Sequence, residues 1–98
     1  MRLTKQQSTL ITQTVIRLAG AESAVYLFGS RLNDHAKGGD IDLLIESDMH
    51  LSLINRAQIK MELEAKIGLP VDIVAKTRGS VTSSFQNIAI AQSIQLEM

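Results

Sequence analysis

FGSRLNDHAKGGDIDLLIE, residues 28–46, sets a Gly-Ser directly after an apolar run and then alternates two aspartates with isoleucine and leucine. The alternation is that of a strand, yet Asp40 and Asp42 sit in a segment that otherwise looks buried. An ionised carboxylate held away from water is costly unless a positive charge neutralises it. No basic residue alternates with the two aspartates in the same segment. A metal ion is one candidate for the missing charge.

The rest of the chain bounds what such a segment can serve. Its 98 residues are expected to form one domain, 1–98, with a core large enough to fold but little room for a second module. With 45% hydrophobic and 20% charged residues the composition is that of a globular chain, so disorder is not expected. Lys plus Arg and Asp plus Glu balance at 10 each. That neutrality argues against an extended surface for long DNA or RNA, while a local basic patch stays open. Aromatic residues make up only 3%, too few for base-stacking platforms. The absence of cysteine excludes disulfides and thiolate metal sites and suits a reducing, cytoplasmic setting. The opening MRLTKQQSTLITQTV is too polar for a signal peptide, and no apolar run approaches membrane-spanning length, so no membrane role is expected.

Working outward from residues 28–46, AVYLFG (24–29) reads as a buried strand ending at Gly29, and DIDLLIE (40–46) as a second strand. Thr4 and Gln7 have the spacing of a capping box, and Leu10, Ile11, Thr14, Val15 and Leu18 recur at helical intervals before Gly20. This predicts a first helix over residues 5–19. A second helix is predicted over residues 50–67, capped by Asp48, with Leu51, Ile54, Ala57, Met61 and Ala65 along its core stripe. Gly68 and Pro70 end it. PVDIVAK (70–76) is a third strand, again with a carboxylate, Asp72, in apolar company. A last helix begins near Ser83 or Ser84 and includes Phe85, Ile88 and Ala89, while SIQLE near the end reads as a short edge strand. The fold class is therefore α/β with an α+β character: a small mixed sheet with flanking helices. The ten-residue link between the first two strands is too short for a helical crossover, which favours antiparallel pairing. The helix between the second and third strands permits a parallel neighbour or a next-but-one placement.

Side chains two apart on a strand point the same way, with Cα atoms about 6.5–7 Å apart, so Asp40 and Asp42 can share ions. Asp72 on a neighbouring strand would lie about 4.8 Å across on the same face. Such a cluster suits Mg²⁺, which takes oxygen ligands and is held by one or two carboxylates plus substrate phosphates. Two ions about 3.5–4 Å apart can clamp the attacking and leaving oxygens of a phosphoryl displacement. Gly29 lets backbone approach a ligand closely, and a helical turn opened by Ser30 would point free N–H groups at an anion. Phosphate donors opposite a carboxylate cluster describe a site for a nucleoside triphosphate.

Gly29-Ser30, a nine-residue spacer, Asp40-Ile41-Asp42 and then Val71-Asp72-Ile73 resemble the polymerase-β-type nucleotidyltransferase superfamily, and most closely its minimal nucleotidyltransferase (MNT) branch. The resemblance covers residues 24–76. Leu32-Asn33 stand where that branch commonly has Ala-Arg, whereas Arg31 is retained. The resemblance implies catalytic roles for Asp40, Asp42 and Asp72. It implies that Gly29, Ser30 and Arg31 hold the triphosphate, and that Asp40, Asp42 and Asp72 hold two Mg²⁺ ions, with Mn²⁺ as a substitute. It further implies that Asp72 helps deprotonate an attacking hydroxyl. The expected activity is transfer of AMP from ATP to a hydroxyl of a HEPN-type partner protein, in the antitoxin of a HEPN/MNT pair. The alternative is a non-catalytic antitoxin that masks its toxin by contact, and a homo-oligomer stays open.

Other residues carry plainer expectations. Lys37-Gly38-Gly39 reads as a loop, Lys76 and Arg78 as a solvated strand exit, and Glu46, Glu62 and Glu64 as solvated. Met61 is assigned to the core, and His35 and His50 lack a partner at metal-ligand spacing. Ile90 and Ile94, on a continuing last helix, would form an apolar contact surface. A template-directed polymerase, a tRNA-modifying enzyme and an antibiotic-modifying transferase all call for more chain than is available around the site.

Overall fold

A computed structural model of the chain describes residues 3–28, 41–48, 50–79 and 93–96. Their order is α1 (Lys5–Ala19), β1 (Ala24–Phe28), β2 (Ile41–Ser47), α2 (Leu53–Ile67), β3 (Val71–Thr77) and β4 (Ile94–Gln95). Each helix starts where a side chain can serve its free N–H groups. At α1 the capping box forms in full: Gln7 N–H donates to Thr4 Oγ1 and Thr4 N–H to Gln7 Oε1, both at 3.0 Å. At α2 the cap is Ser52, whose hydroxyl accepts from Asn55 N–H at 3.0 Å. Asp48 therefore does not cap the helix; its carboxylate instead accepts from the Arg78 guanidinium. Gly68 ends α2 with φ +82°, a left-handed conformation that glycine adopts without steric cost.

The strands form one mixed sheet in the order β3-β2-β1-β4. β1 runs antiparallel to β2 and to β4, and β2 runs parallel to β3. The short β1–β2 link thus gives an antiparallel pair, and the α2 crossover gives an adjacent parallel one. Val25 and Leu27, Ile41, Leu43 and Ile45, and Val71 turn one sheet face toward Ile11 and Val15 of α1 and Ile59 and Leu63 of α2. Leu96 joins this core from just beyond β4, its N–H donating to Val25 O at 2.9 Å. Ile94 lies in this edge strand and not on a continuing helix. The last helix expected from Ser83 or Ser84, with Phe85, Ile88, Ala89 and Ile90, falls outside the described residues.

α2 corrects the sequence reading. At 3.6 residues per turn, Ile54, Ala57, Met61 and Ala65 form one stripe, and Ile59, Leu63 and Ile67 form another on the opposite side. The second stripe is the buried one: Ile59 and Leu63 are fully covered, while Ile54 is 70% and Met61 69% exposed. The larger side chains of that stripe bury more apolar area than one that is half alanine, and area sets the preference. Glu62, expected to be solvated, ties this helix to α1 through an ion pair with Arg17.

Truncation on the two stripes should therefore have opposite consequences. Leu63→Ala is expected to cost about 2–5 kcal/mol, the range for a buried leucine. Met61→Ala should stay within about 0.5 kcal/mol of wild type. Urea denaturation of both variants measures the difference, and equal losses would contradict the orientation of α2.

Candidate active site

The sheet face turned away from the helices is organised in rows across β1, β2 and β3. Register pairs Phe28 with Asp42 and Asp42 with Asp72 in the first row. Tyr26, Leu44 and Val74 make the second, and Ala24, Glu46 and Lys76 the third. One end of this face is neutralised by the protein itself. Lys76 Nζ lies 3.0 Å from Glu46 Oε2, with side chains only 10% and 21% exposed, and Arg78 reaches Glu46 at 3.5 Å. Glu46, Lys76 and Arg78 are thus engaged with one another and not simply solvated. Register explains why the sequence hid this: the partners are 30 residues apart and meet only when β2 and β3 align.

At the other end the same two strands place carboxylate beside carboxylate. Parallel partners lie about 4.8 Å apart and their side chains project from the same face. Asp42 is half-buried and Asp72 exposed. Among the described residues Asp72 makes no salt bridge. Two carboxylates side by side on one face supply oxygen ligands of the kind a hard divalent ion such as Mg²⁺ takes. No group of three metal-ligating side chains occurs among the described residues. Asp40, the third carboxylate of the sequence reading, adjoins Ile41 in the chain and lies outside the described residues, as do Gly29, Ser30 and Arg31. The structure therefore brings together Asp42 and Asp72.

Asp72 is set in place by groups that sequence reasoning passed over. β3 is an edge strand, and the outward N–H and C=O of Val71 are both taken by side chains of α2. Val71 N–H donates to Glu64 Oε2 at 2.8 Å, and Lys60 Nζ donates to Val71 O at 2.5 Å and to Glu64 Oε2 at 2.9 Å. On the inner side Ile41 N–H donates to Pro70 O at 2.9 Å. The residue before Asp72 is thereby fixed from α2, and Glu64, expected to be solvated, is a structural ligand of the strand. The Val71 amide, and then Lys60, hold its carboxyl below the usual carboxylate range. The visible signal was the i,i+4 spacing of Lys60 and Glu64 in the last turns before the strand.

A family model described as polymerase beta nucleotidyltransferase matches residues 9–96. None of the curated protein sequences matches significantly. Among solved structures, the chain is similar to one from the complex of tri-AMPylated Shewanella oneidensis HEPN toxin with MNT antitoxin. That match has 20% identity and a TM-score of 0.75, over 97% of this chain and 72% of the other. A chain of the toxin–antitoxin MntA–HepT is 20% identical with a TM-score of 0.74, over 96% and 72% of the two chains. A structure assigned as a minimal nucleotidyltransferase is 22% identical with a TM-score of 0.69, over 92% and 89%.

Two measurements check this geometry. Without divalent ions, Asp72→Asn should melt no lower than wild type, since it removes one of two facing charges. Mg²⁺ should then raise the melting temperature of wild type more than that of the variant. A lower-melting variant would make Asp72 a structural residue. Glu64 has a folded pKa below its unfolded one, so its contribution is fully present above the unfolded value and lost as pH falls through the folded one. The gap in melting temperature between wild type and Glu64→Gln should therefore be widest near neutrality and close in acid below the usual carboxylate range. A constant gap would break the clamp.

Proposed function

The chain belongs to the polymerase β nucleotidyltransferase family, and on that footing we propose that it is a divalent-metal-dependent enzyme of the minimal branch. Acting as a single domain over residues 1–98 in the cytoplasm, it moves AMP from ATP to a side-chain hydroxyl of a HEPN-type partner protein and so serves as an antitoxin. The observation that carries this reading is the direct pairing of Asp42 with Asp72 on one sheet face. A module that only binds has no use for two carboxylates on neighbouring register positions, whereas metal-assisted phosphoryl chemistry uses such a pair.

The reaction follows from the residues. The acceptor oxygen forms a bond to the α-phosphorus as the bond from that phosphorus to the β-phosphate oxygen breaks, and pyrophosphate departs with the electron pair. The hydroxyl proton passes to a carboxylate oxygen of Asp72, exposed at the sheet edge. Asp42, half-buried beside Phe28, together with Asp40 and Asp72, would hold Mg²⁺ or Mn²⁺. When bound, the ions supply neutralising charge for the phosphates and lower the pKa of the attacking hydroxyl. Gly29, Ser30 and Arg31 take the triphosphate, in line with their motif positions.

The HEPN partner rests on the toxin–antitoxin complexes among the similar structures. A masking-only antitoxin is the second reading, favoured by the exposed apolar side of α2. The two separate when the chain, a HEPN-type protein that co-purifies with it, labelled ATP and Mg²⁺ are incubated and the partner is weighed intact. Transfer should add one or more AMP units, and Asp72→Asn should slow it about 10²–10⁴-fold, the usual contribution of a positioned base. A formed complex with no gain in mass would leave masking alone.

A further inference from the structure

Where β3 meets α2, Asp72 and Ile73 share a pocket of about 250 Å³ with Leu53, Arg56, Ala57 and Lys60. Lys60 is occupied by Glu64 and the Val71 carbonyl. Arg56 is not. Its guanidinium makes no hydrogen bond or ion pair among the described residues, and its Nε is closed off from solvent without an acceptor. A guanidinium carries five donors in a planar fork that matches a carboxylate, and leaving it unmatched is unusual for a partly buried arginine. Asp72 lines the same pocket without pairing to it. Beside this cation the pocket wall carries apolar side chains from both elements, Leu53 and Ala57 of α2 and Ile73 of β3, with Leu53 74% exposed. An unmatched arginine flanked by apolar side chains suits protein binding, where arginine is enriched among the residues that carry affinity.

We propose that this is the acceptor-docking surface: Arg56 receives an acidic side chain of the acceptor protein, which packs on Leu53 and Ala57 and so delivers its hydroxyl beside Asp72. The inference rests on the reading of transfer to a protein hydroxyl. Charge complementarity selects the acidic side chain, because the unmatched group is a cation. Protein is selected over nucleic acid because a single carboxylate needs only one cation, whereas successive phosphates need a basic track, and the chain's Lys plus Arg and Asp plus Glu balance at 10 each. The surface is continuous with the carboxylate pair, since Asp72 is itself part of the pocket wall.

The test uses two fluorescein-labelled peptides of equal length, each with a tyrosine flanked by leucines, one carrying an aspartate near the tyrosine and the other an asparagine. Anisotropy is read with the full chain and no ATP, so a failure of transfer in a separate assay counts against the reaction and not against this surface. The aspartate peptide should bind wild type about tenfold more tightly, the scale of one charge-assisted contact. Arg56→Gln should abolish that preference, Arg56→Lys should restore part of it, and Leu53→Ser should weaken both peptides alike. Mg²⁺–ATP should bind Arg56→Gln as it binds wild type, which also shows that the variant is folded. The proposal falls if neither peptide binds, if the two bind equally, or if Arg56→Gln keeps the preference. It falls as well if Arg56→Gln weakens Mg²⁺–ATP, which would give Arg56 to the nucleotide, or if a single-stranded oligonucleotide outcompetes the aspartate peptide.

Discussion

Like charges do not bring themselves together, and the pairing of Asp42 with Asp72 is imposed by the other face of the sheet. Ile41, Leu43 and Ile45 of β2 and Val71 of β3 are buried against the helices. Because side chains alternate with a period of two, that burial dictates which residues look the other way. A slip of one residue in either strand would take these apolar side chains off the helices and turn its carboxylate toward them. The core thus holds in place a juxtaposition of like charges that neither strand would favour by itself.

The edge position of β3 makes a second constraint. Half the backbone groups of an edge strand have no neighbouring strand to meet. At Val71 a carboxylate and an ammonium from α2 act as that neighbour, so the strand is fixed directly beside Asp72. α2 therefore contributes to the site although it packs on the opposite face. Its far side, with Leu53, Ile54 and Met61 exposed, is left for something other than the core.

What could be read from the residues divides along a physical line. The Thr4–Gln7 capping box, the stop at Gly68 and the shared face of Asp42 and Asp72 depend on neighbours close in sequence or on the strict period of a strand, and all three were legible. The face of α2 was not: Ile54-Ala57-Met61-Ala65 and Ile59-Leu63-Ile67 are both good helical stripes, and only the sheet chooses between them. Glu46 with Lys76, and Glu64 with the Val71 backbone, were hidden for a related reason. Their partners come into reach only through strand register and helix placement. Arg56 carried no pattern at all, since its lack of an acceptor shows only once α2 is set against β3. Gly29, Ser30, Arg31 and Asp40 rest on their motif alone.

The two borders of the sheet also govern how this molecule can meet another chain. At the start of β3 the main-chain groups that would recruit a foreign strand are already spent on Lys60 and Glu64. At the opposite border β4 pairs over only Ile94 and Gln95, too short a template for strand addition. Association by extending the sheet, a common route to promiscuous clumping, is discouraged at both places. At these two places contact with another chain falls to side chains, whose shape and charge can discriminate among partners.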